Sequence, residues 1–335
     1  MVNDSRILLT SDQIFTVFER HSSPSSLPEL SLRLLEQQKE TWTILAGEYA
    51  SLGAVKHREV SCEGFSVFLQ FNPGRIVSTG AKVDEKSILE RRCFLCVQNL
   101  PPDQKGILYQ GEFLVLCNPA PIFPQHFTIS NINHIPQAIE PFVGTFLNLA
   151  RELGPALTVF YNGPKCGASA PDHMHFQANT SGSIPVERDA ADPRRTLVRK
   201  RIDDTTVSTL RNYGREVIVL ESSIQEKIER IFLKIIKALQ EGSRVDFEPM
   251  INVLCSYGNG SWRLILFPRR KHRPDAYFRE GDAQVMVSPA AVDIGGLMVT
   301  PMERDFDRID ARMMEGILDE VSLEKELVDR IVADL

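Results

Sequence analysis

The chain has 335 residues, of which 43% are hydrophobic, and a formal net charge of −6. A chain of this length can bury two domain-sized cores, and its acidic balance excludes a general attraction to nucleic acid. No apolar run approaches about eighteen residues, so we expect no membrane span. The six cysteines are scattered and we find no export signal, which favours a reducing cytoplasm.

The first part of the chain is predicted as a helical N-terminal arm, residues 1–57, because apolar residues recur there at helical spacing. A β-rich stretch follows, interrupted by one helical pattern. Strands are predicted at residues 58–71, 107–118 and 157–161, a turn into another strand at 119–131, and a helix at 137–153. This order predicts the α+β class, with an antiparallel sheet and helices on one face.

The segment His173-Met174-His175-Phe176-Gln177 carries the strongest chemical signal. Alternate side chains of a strand share a face, so both histidines and the glutamine are expected on one side, with Met174 and Phe176 in a core. A neutral imidazole oriented through its second nitrogen is nucleophilic, and we interpret His175 as the nucleophile. Gln177 can donate to a phosphoryl oxygen but cannot protonate a leaving group, which favours transfer over hydrolysis. The alternative is that both histidines are ordinary core or surface residues.

A loop rich in small residues, 161–172, precedes this strand. Glycines such as Gly167 allow backbone amides to approach an anion closely. Lys165 adds positive charge, and Asn162 and Ser169 add directional donors. We interpret the loop as a phosphate cradle; the alternative is an ordinary turn built from glycine and proline.

Together these features resemble the transferase branch of the histidine triad (HIT) superfamily. That branch includes galactose-1-phosphate uridylyltransferase, diadenosine tetraphosphate phosphorylase and the GDP-hexose phosphorylases, and the last group is the nearest. The resemblance spans about residues 58–320 and departs at Asp293, where the family has glutamate. It rests on residues 70–75 (Gln-Phe-Asn-Pro-Gly-Arg), 119–129, 173–178 (His-Met-His-Phe-Gln-Ala), 263–269 and 289–299.

The resemblance implies a ping-pong reaction. His175 would attack the α-phosphate of a nucleotide and become nucleotidylated, with Gln177 holding the nucleotidyl oxygen and His173 beside them as the third catalytic candidate. Inorganic phosphate or a sugar phosphate would then collect the nucleotide. Preorganised donors must meet the charge that shifts among the phosphoryl oxygens.

Substrate contacts are predicted in two places. The residues that the resemblance puts nearest to phosphate are Arg75, Asn162, Lys165 and Ser169, together with Gly167 of the cradle. The basic cluster at residues 269–273, which begins with Arg269, is expected at a strand end and can hold a sugar phosphate or the far phosphates. The alternatives are a surface arginine at position 75 and a solvated basic loop at 269–273.

Cys93-Phe94-Leu95-Cys96 is the single metal-like cysteine pair, and tetrahedral zinc needs two further ligands. In zinc-bearing members of the superfamily these are a histidine in the following strand turn and the first histidine of His-x-His. The resemblance therefore implies a structural zinc held by Cys93, Cys96, His126 and His173. The alternatives are buried packing or a redox pair. No organic cofactor is expected, and His134 is expected to face solvent.

The predicted organisation has two HIT-like halves. Residues 58–190 form the catalytic half, and the charged, poorly patterned residues 191–213 are predicted as a linker or specificity insert. Residues 214–335 repeat the plan, with a hairpin signal at residues 258–260. This half has no His-x-His, so its predicted role is to complete the pocket.

The sequence thus predicts a nucleotidyltransferase or phosphorylase that acts on a nucleotide sugar, with GDP-hexose phosphorolysis favoured. Sugar 1-phosphate uridylyl transfer and diadenosine tetraphosphate phosphorolysis stay open, as do a nucleotide hydrolase and a non-catalytic nucleotide-binding protein. The expected partners are a nucleotide sugar or dinucleoside polyphosphate, phosphate, and a second copy of the chain in a homodimer.

Overall fold

Eleven α-helices and fourteen β-strands form in the described residues, 9–20 and 22–335, of this computed structural model. The first eight residues of the predicted arm lie outside the described residues. The strands are β1 (Ile14–Phe18), β2 (Lys56–Cys62), β3 (Phe65–Phe71), β4 (Gly106–Tyr109), β5 (Phe113–Cys117), β6 (His126–Asn131), β7 (Leu157–Asn162), β8 (His175–Thr180), β9 (Thr196–Ile202), β10 (Thr205–Leu210), β11 (Ile218–Ser222), β12 (Ile251–Gly258), β13 (Ser261–Pro268) and β14 (Leu297–Thr300). The helices are α1 (Leu27–Thr41), α2 (Thr43–Ser51), α3 (Ile76–Thr79), α4 (Glu85–Glu90), α5 (Val143–Leu153), α6 (Pro185–Ala191), α7 (Gln225–Ser243), α8 (Ala291–Ile294), α9 (Glu303–Arg308), α10 (Ala311–Val321) and α11 (Lys325–Asp334).

Two units of identical topology make up most of an eleven-stranded sheet. The first has the strand order β4-β5-β6-β8-β7 and the second β9-β10-β11-β13-β12, each with a helix, α5 or α7, between its third and fourth strands along the chain. The units join along β7 and β12, where Asn162 pairs with Asn252. Within each unit neighbouring strands are antiparallel. This confirms the predicted α+β class.

The structure differs from the predicted segments at several places. The strand predicted at residues 58–71 forms β2 and β3 of a separate, three-stranded sheet. Residues 191–213, predicted as a linker or specificity insert, contain β9 and β10, which open the second unit. Charged residues are common on edge strands such as β9, and they conceal its pattern. The N-terminal arm contains a strand as well as helices, since β1 pairs in parallel with β4. The helix predicted from residue 137 begins only at Val143. In the predicted helix Pro141 would lie beyond the first turn, where proline disrupts the helix, whereas in the structure it lies before the helix begins.

Helix positions follow from the sequence. At the start of α1 the Ser26 side chain accepts from the amide of Glu29, whose carboxylate accepts from the Ser26 amide. This reciprocal cap satisfies donors that the first turn leaves unpaired. Helix α7 buries one apolar stripe against the sheet: Ile228, Ile231, Phe232, Ile235, Ile236 and Leu239. The spacing of three and four residues keeps these side chains on a single face.

Apolar cores lie on the two faces of the large sheet. Helices α1, α5, α7 and α11 pack on one face. A three-stranded sheet of order β14-β3-β2, together with α8, α9 and α10, packs on the other. In β8 the Phe176 ring lies among Phe113, Phe146 and Tyr161 on the helical side. The adjacent residues His175 and Gln177 therefore face the opposite side of the sheet. None of the helices described is at once long and apolar enough to cross a membrane.

We expect Phe176→Ala to lower the free energy of unfolding by about 3–5 kcal/mol, because it leaves a cavity in a fully packed core. Chemical denaturation measures this loss. Phe278→Ala is the matched control, since that ring is 66% exposed and its removal should change stability by less than about 0.5 kcal/mol. Equal losses in the two variants would contradict the packing described for β8.

Candidate active site

A cavity of about 340 Å³ lies on the face of the large sheet opposite α5 and α7. Its volume is typical of pockets for small ligands. Six of the predicted site residues line it: Arg75, Asn162, Gly167, Ser169, His175 and Gln177. The strand β8 supplies two of these side chains, and the loop before it supplies Gly167 and Ser169. The structure therefore brings six of the nine predicted catalytic and substrate-binding residues together in one pocket.

The imidazole of His175 has a fixed orientation. Its Nδ1 lies 2.8 Å from the backbone carbonyl oxygen of His173. A carbonyl can only accept, so Nδ1 carries the proton and Nε2 keeps its lone pair. Burial lowers the pKa of His175 to about 4, which leaves the ring neutral at physiological pH. A neutral, oriented imidazole is the form that a nucleophilic histidine requires.

The amide of Gln177 is oriented by His126. The backbone N–H of Ile122 donates to His126 Nδ1 at 3.2 Å, so the ring proton lies on Nε2. That nitrogen donates to Gln177 Oε1 at 2.9 Å. The NH₂ group of Gln177 is therefore the end of the amide left for a ligand in the pocket. Burial and the nearby charge of Arg75 lower the pKa of His126 to about 3, so the ring stays neutral.

Arg75 enters the pocket from the Gln-Phe-Asn-Pro-Gly-Arg segment. Asn72 accepts from the amide of Gly74 at 3.1 Å and donates to the carbonyl of Pro121 at 3.2 Å, which fixes the turn. Arg75 donates to the carbonyl of Ala120 at 2.5 Å. Asp293, also in the pocket wall, accepts from two backbone amides, and burial raises its pKa to about 6. Its position supplies negative charge close to Arg75.

The small-residue loop has a structural role on one side. Asn162 Oδ1 accepts from Asn252 Nδ2 at 2.9 Å and from the amide of Ala291 at 2.8 Å. Gly167 has φ +95°, and a Cβ there would lie 2.5 Å from the Cβ of Ala290. Only glycine combines this backbone with that close approach. The loop is thus held against the second unit, with Ser169 exposed to the pocket.

Two predicted substrate ligands lie outside the pocket lining. The Lys165 ammonium stands 3.6 Å from the centroid of the Phe247 ring. Arg269 is 2% exposed, and its guanidinium donates to Asn252 and to backbone carbonyls, including that of Pro289 at 3.0 Å. It therefore joins structural elements. From the same basic cluster, His272 and Arg273 line the pocket instead.

A second cluster lies beside the active site. The ligand atoms of Cys93, Cys96, His134 and His173 all lie within 4.8 Å of one another. His173 Nε2 lies 2.8 Å from the carbonyl of Asn131, so Nε2 donates and Nδ1 faces the thiols. These four residues could hold a metal ion.

The predicted ligand set is thus wrong in one member, because His134 takes the place assigned to His126. His126 is the first residue of β6 and faces Gln177, whereas His134 follows that strand in a loop. His134 was expected to face solvent, and its side chain is 42% exposed, yet Nδ1 lies 3.2 Å from the sulfur of Cys96. His173 was also predicted as a catalytic residue. Its ring lies in this cluster and outside the pocket lining, so it does not share the pocket with His175 and Gln177.

Comparison with known proteins gives two family matches that divide the chain. Residues 34–180 match the family model described as a domain of unknown function (DUF4922), and residues 186–334 match the model "GDPGP1-like, C-terminal domain". The matches meet between the two topological units. The chain resembles the GDP-hexose and diadenosine tetraphosphate phosphorylases. Curated proteins gave no match.

Solved structures share the fold. Yeast Ap4A phosphorylase Apa2 in complex with AMP aligns with a TM-score of 0.54 and 16% identity, covering 87% of this chain and 96% of the yeast chain. The same yeast enzyme in complex with Ap4A gives 0.53 and 15%, covering 87% and 97%. The similarity extends over both units.

We expect His126→Leu to slow nucleotidyl transfer to His175, the step that the resemblance implies, by about tenfold or more. Without the donor from His126, the Gln177 amide can rotate and present its oxygen to the phosphoryl group. The effect should fall on kcat more than on KM, which steady-state kinetics separates.

His57→Leu is the matched control, because His57 also pairs with a glutamine, Gln70, at 2.9 Å, but outside the pocket lining. Its kcat should equal that of the wild type. His126→Gln retains a donor near Gln177 and should recover part of the rate. A His126→Leu rate equal to that of His57→Leu would exclude the orienting role.

Proposed function

We propose that the protein transfers a nucleotidyl group from a nucleotide sugar, GDP-hexose in the first instance, to inorganic phosphate through a covalent intermediate on His175. The proposal rests on one observation: the pocket presents an imidazole whose Nδ1 is committed to the His173 carbonyl, beside an amide whose oxygen is committed to His126. The first group can attack phosphorus, and the second can hold the phosphoryl oxygen.

The chemistry consists of two displacements at the α-phosphorus. His175 Nε2 attacks, and the bond from phosphorus to the bridging oxygen breaks, releasing hexose 1-phosphate. An oxygen of inorganic phosphate then attacks the same phosphorus, the P–N bond breaks, and GDP leaves. Hexose 1-phosphate departs as an anion that needs no proton, which suits an amide at position 177. The His173 carbonyl opposes the positive charge on the imidazole ring while the intermediate lasts.

Arg75 and Arg273 supply positive charge for the phosphates at one side of the pocket, where His272 also lies. Arg273 donates to Ser288 Oγ at 2.8 Å and to the carbonyl of Ala81 at 2.9 Å, so its guanidinium is held in place. Burial and the charges of neighbouring arginines lower the pKa of His272 to about 3, so it acts there as a neutral group. Preorganised arginines stabilise the shifting phosphoryl charge.

Guanine suits two amides in the pocket lining, Asn99 and Gln104. Asn99 Nδ2 donates to the carbonyl of Cys93 at 2.8 Å, and Gln104 Nε2 donates to the carbonyl of Cys117 at 3.1 Å. The carbonyl oxygen of each amide is then the atom available to a base. Guanine offers N1–H and N2–H₂ donors on one edge, whereas uracil offers a single N–H there. The GDPGP1-like match supports the same base.

Diadenosine tetraphosphate phosphorolysis is the second candidate. It is favoured by the fold shared with yeast Ap4A phosphorylase Apa2, whose structures contain AMP or Ap4A. The same displacement at His175 would release ATP in place of hexose 1-phosphate. The two candidates differ only in the leaving group and the base.

Incubation of the purified protein with GDP-, UDP- and ADP-sugars and with Ap4A, each with and without phosphate, tests the proposal. We expect intact mass to show one guanylyl group on the protein with a GDP-hexose alone. Adding phosphate should remove the group and release GDP. His175→Ala should bind the nucleotide and form no adduct, whereas His57→Ala, altered outside the pocket, should form it normally.

Each other result would assign a different activity to this protein. An adduct with Ap4A alone would establish the second candidate. Uridylylation that only a sugar phosphate removes would establish a uridylyltransferase. Nucleotide release without phosphate would indicate a hydrolase. Binding without any adduct or turnover would contradict the enzyme and leave a nucleotide-binding protein.

We further propose that the cluster of Cys93, Cys96, His134 and His173 holds a structural zinc ion. Tetrahedral zinc with Zn–S bonds of about 2.3 Å and Zn–N bonds of about 2.0 Å separates sulfur from nitrogen by about 3.5 Å. The His173 Nδ1 atom lies 3.3 Å from the sulfur of Cys93 and 3.6 Å from that of Cys96. All four positions would be protein ligands, which is typical of a structural site. The ion would fix the turn that leads into β8.

Cys93→Ser should lose the metal and lower the free energy of unfolding by about 4 kcal/mol or more, because a structural metal contributes directly to folding. Elemental analysis and denaturation with and without chelator measure both effects. Cys62→Ser, altered away from the cluster, should keep the metal and its stability. Metal-free wild-type protein, or full metal occupancy in Cys93→Ser, would refute the site.

A further inference from the structure

The strands β7 and β8 separate next to His175. Their antiparallel ladder runs from Leu157 opposite Thr180 to Phe160 opposite Gln177 and ends there. Both strands nevertheless continue, β7 to Asn162 and β8 back to His175. The same register would place Asn162 opposite His175, as the next pair of its kind. In a continuous ladder the backbones of these two residues would form a direct hydrogen bond. In the structure another group takes its place.

The side chain of Gln137 occupies the place of this hydrogen bond. Its Oε1 accepts from the amide N–H of His175 at 2.8 Å. Its Nε2 donates to the carbonyl of Asn162 at 3.0 Å and to the carbonyl of His175 at 3.0 Å. Because a backbone N–H only donates and a carbonyl only accepts, the amide has one possible orientation. The side chain is 3% exposed, so water cannot substitute for these contacts without rearrangement.

Gln137 itself is held from several directions. Its own amide donates to the carbonyl of Pro171 at 3.1 Å, and the amide of Met174 donates to the carbonyl of Ile135 at 2.7 Å. Two residues beyond Gln137, the amide of Ile139 donates to Glu248 at 2.6 Å. The segment is thus fixed both to the turn before β8 and to the second unit. A rigid support of this kind can transmit position to the residue it contacts.

We propose that Gln137 is a positioning residue for His175, whose inserted amide keeps β7 and β8 apart so that the imidazole stands at the pocket with Nε2 directed to the α-phosphate. Asn162 and His175 both line the pocket, one on each side of the opening. Without the inserted amide, the two strands could pair directly and carry the imidazole toward β7. This inference rests on the proposed role of His175 as nucleophile.

Gln137→Leu tests the proposal, because it preserves most of the side-chain volume and removes all three hydrogen bonds. We expect kcat for nucleotidyl transfer to fall about 100-fold, the scale of a displacement of about 1 Å at a reacting group. The dissociation constant for a non-cleavable GDP-hexose analogue should change less than about threefold, since the groups that bind the nucleotide are untouched.

Gln137→Glu gives a readout that a merely structural residue would not. As a carboxylate the side chain repels the carbonyls of Asn162 and His175, whereas its protonated form can donate to one of them. The activity of this variant, relative to wild type at each pH, should therefore rise as the pH falls from alkaline to mildly acidic. A relative activity that does not change with pH would contradict the proposed contacts.

Phe232→Leu in α7 is the control for a general loss of stability, since it truncates a buried side chain remote from the pocket lining. It should lower the melting temperature and leave kcat unchanged. A Gln137→Leu kcat within about twofold of the wild-type value would overturn the proposal, because a displaced nucleophile costs far more than that.

Nitrogen-15 NMR of the His175 ring separates this proposal from the proposed function. Wild-type protein should show a single tautomer with the proton on Nδ1, and Gln137→Leu should show a mixture. If no donor nucleotidylates the wild type, the proposed function fails, and the tautomer alone decides the role of Gln137. In that case, a Gln137→Leu variant with the same single tautomer as the wild type would overturn the proposed role of Gln137.

Discussion

The hydrogen bond from His175 Nδ1 to the backbone carbonyl of His173 is the interaction on which the site depends. It selects the tautomer, and so decides which nitrogen keeps its lone pair, the nitrogen that attacks phosphorus in the proposed reaction. His173 is itself fixed at both ring nitrogens, with Nε2 donating to the carbonyl of Asn131 and Nδ1 facing the thiols of Cys93 and Cys96. His173 therefore connects the cysteine cluster to His175, two residues further along the chain. A metal ion bound by the proposed site would therefore help to orient His175 from outside the pocket lining.

The loop between β6 and α5 provides a second connection between the same two places. His134 contributes to the cysteine cluster, and three residues later Gln137 contacts the backbone of His175 on one side and Asn162 on the other. The position of His175 is thus fixed twice, through the turn that contains His173 and through this loop. Such redundancy suits the proposed role of His175 as a nucleophile, because a displacement of about 1 Å at a reacting group lowers the rate strongly.

The sequence allowed prediction where the signal is local. The alternation of residues 173–177 is sufficient to predict Met174 and Phe176 in the core, where both lie. Choosing between His126 and His134 required the direction of each side chain around β6, which spacing does not contain. The role of Gln137 was concealed further, since its partners are backbone groups that have no identity in the sequence, and its segment was predicted as helix. The sequence does not predict β9, because an edge strand can carry charged residues at positions that would be apolar in an inner strand. Its alternation of apolar and polar residues is therefore weak.

The two units of identical topology differ in the side chains that their corresponding strands present on the face where the pocket lies. The strand β13 holds the place in the second unit that β8 holds in the first. Where His175 and Gln177 face the cavity, the corresponding face of β13 carries Ile265 and Phe267, which are buried in the core formed with the three-stranded sheet. The same layer extends across to the first unit, where Asp293 of α8 forms part of the pocket wall. In the first unit this face therefore carries the polar residues of the pocket, whereas in the second unit it carries apolar residues that pack against the layer forming the far wall.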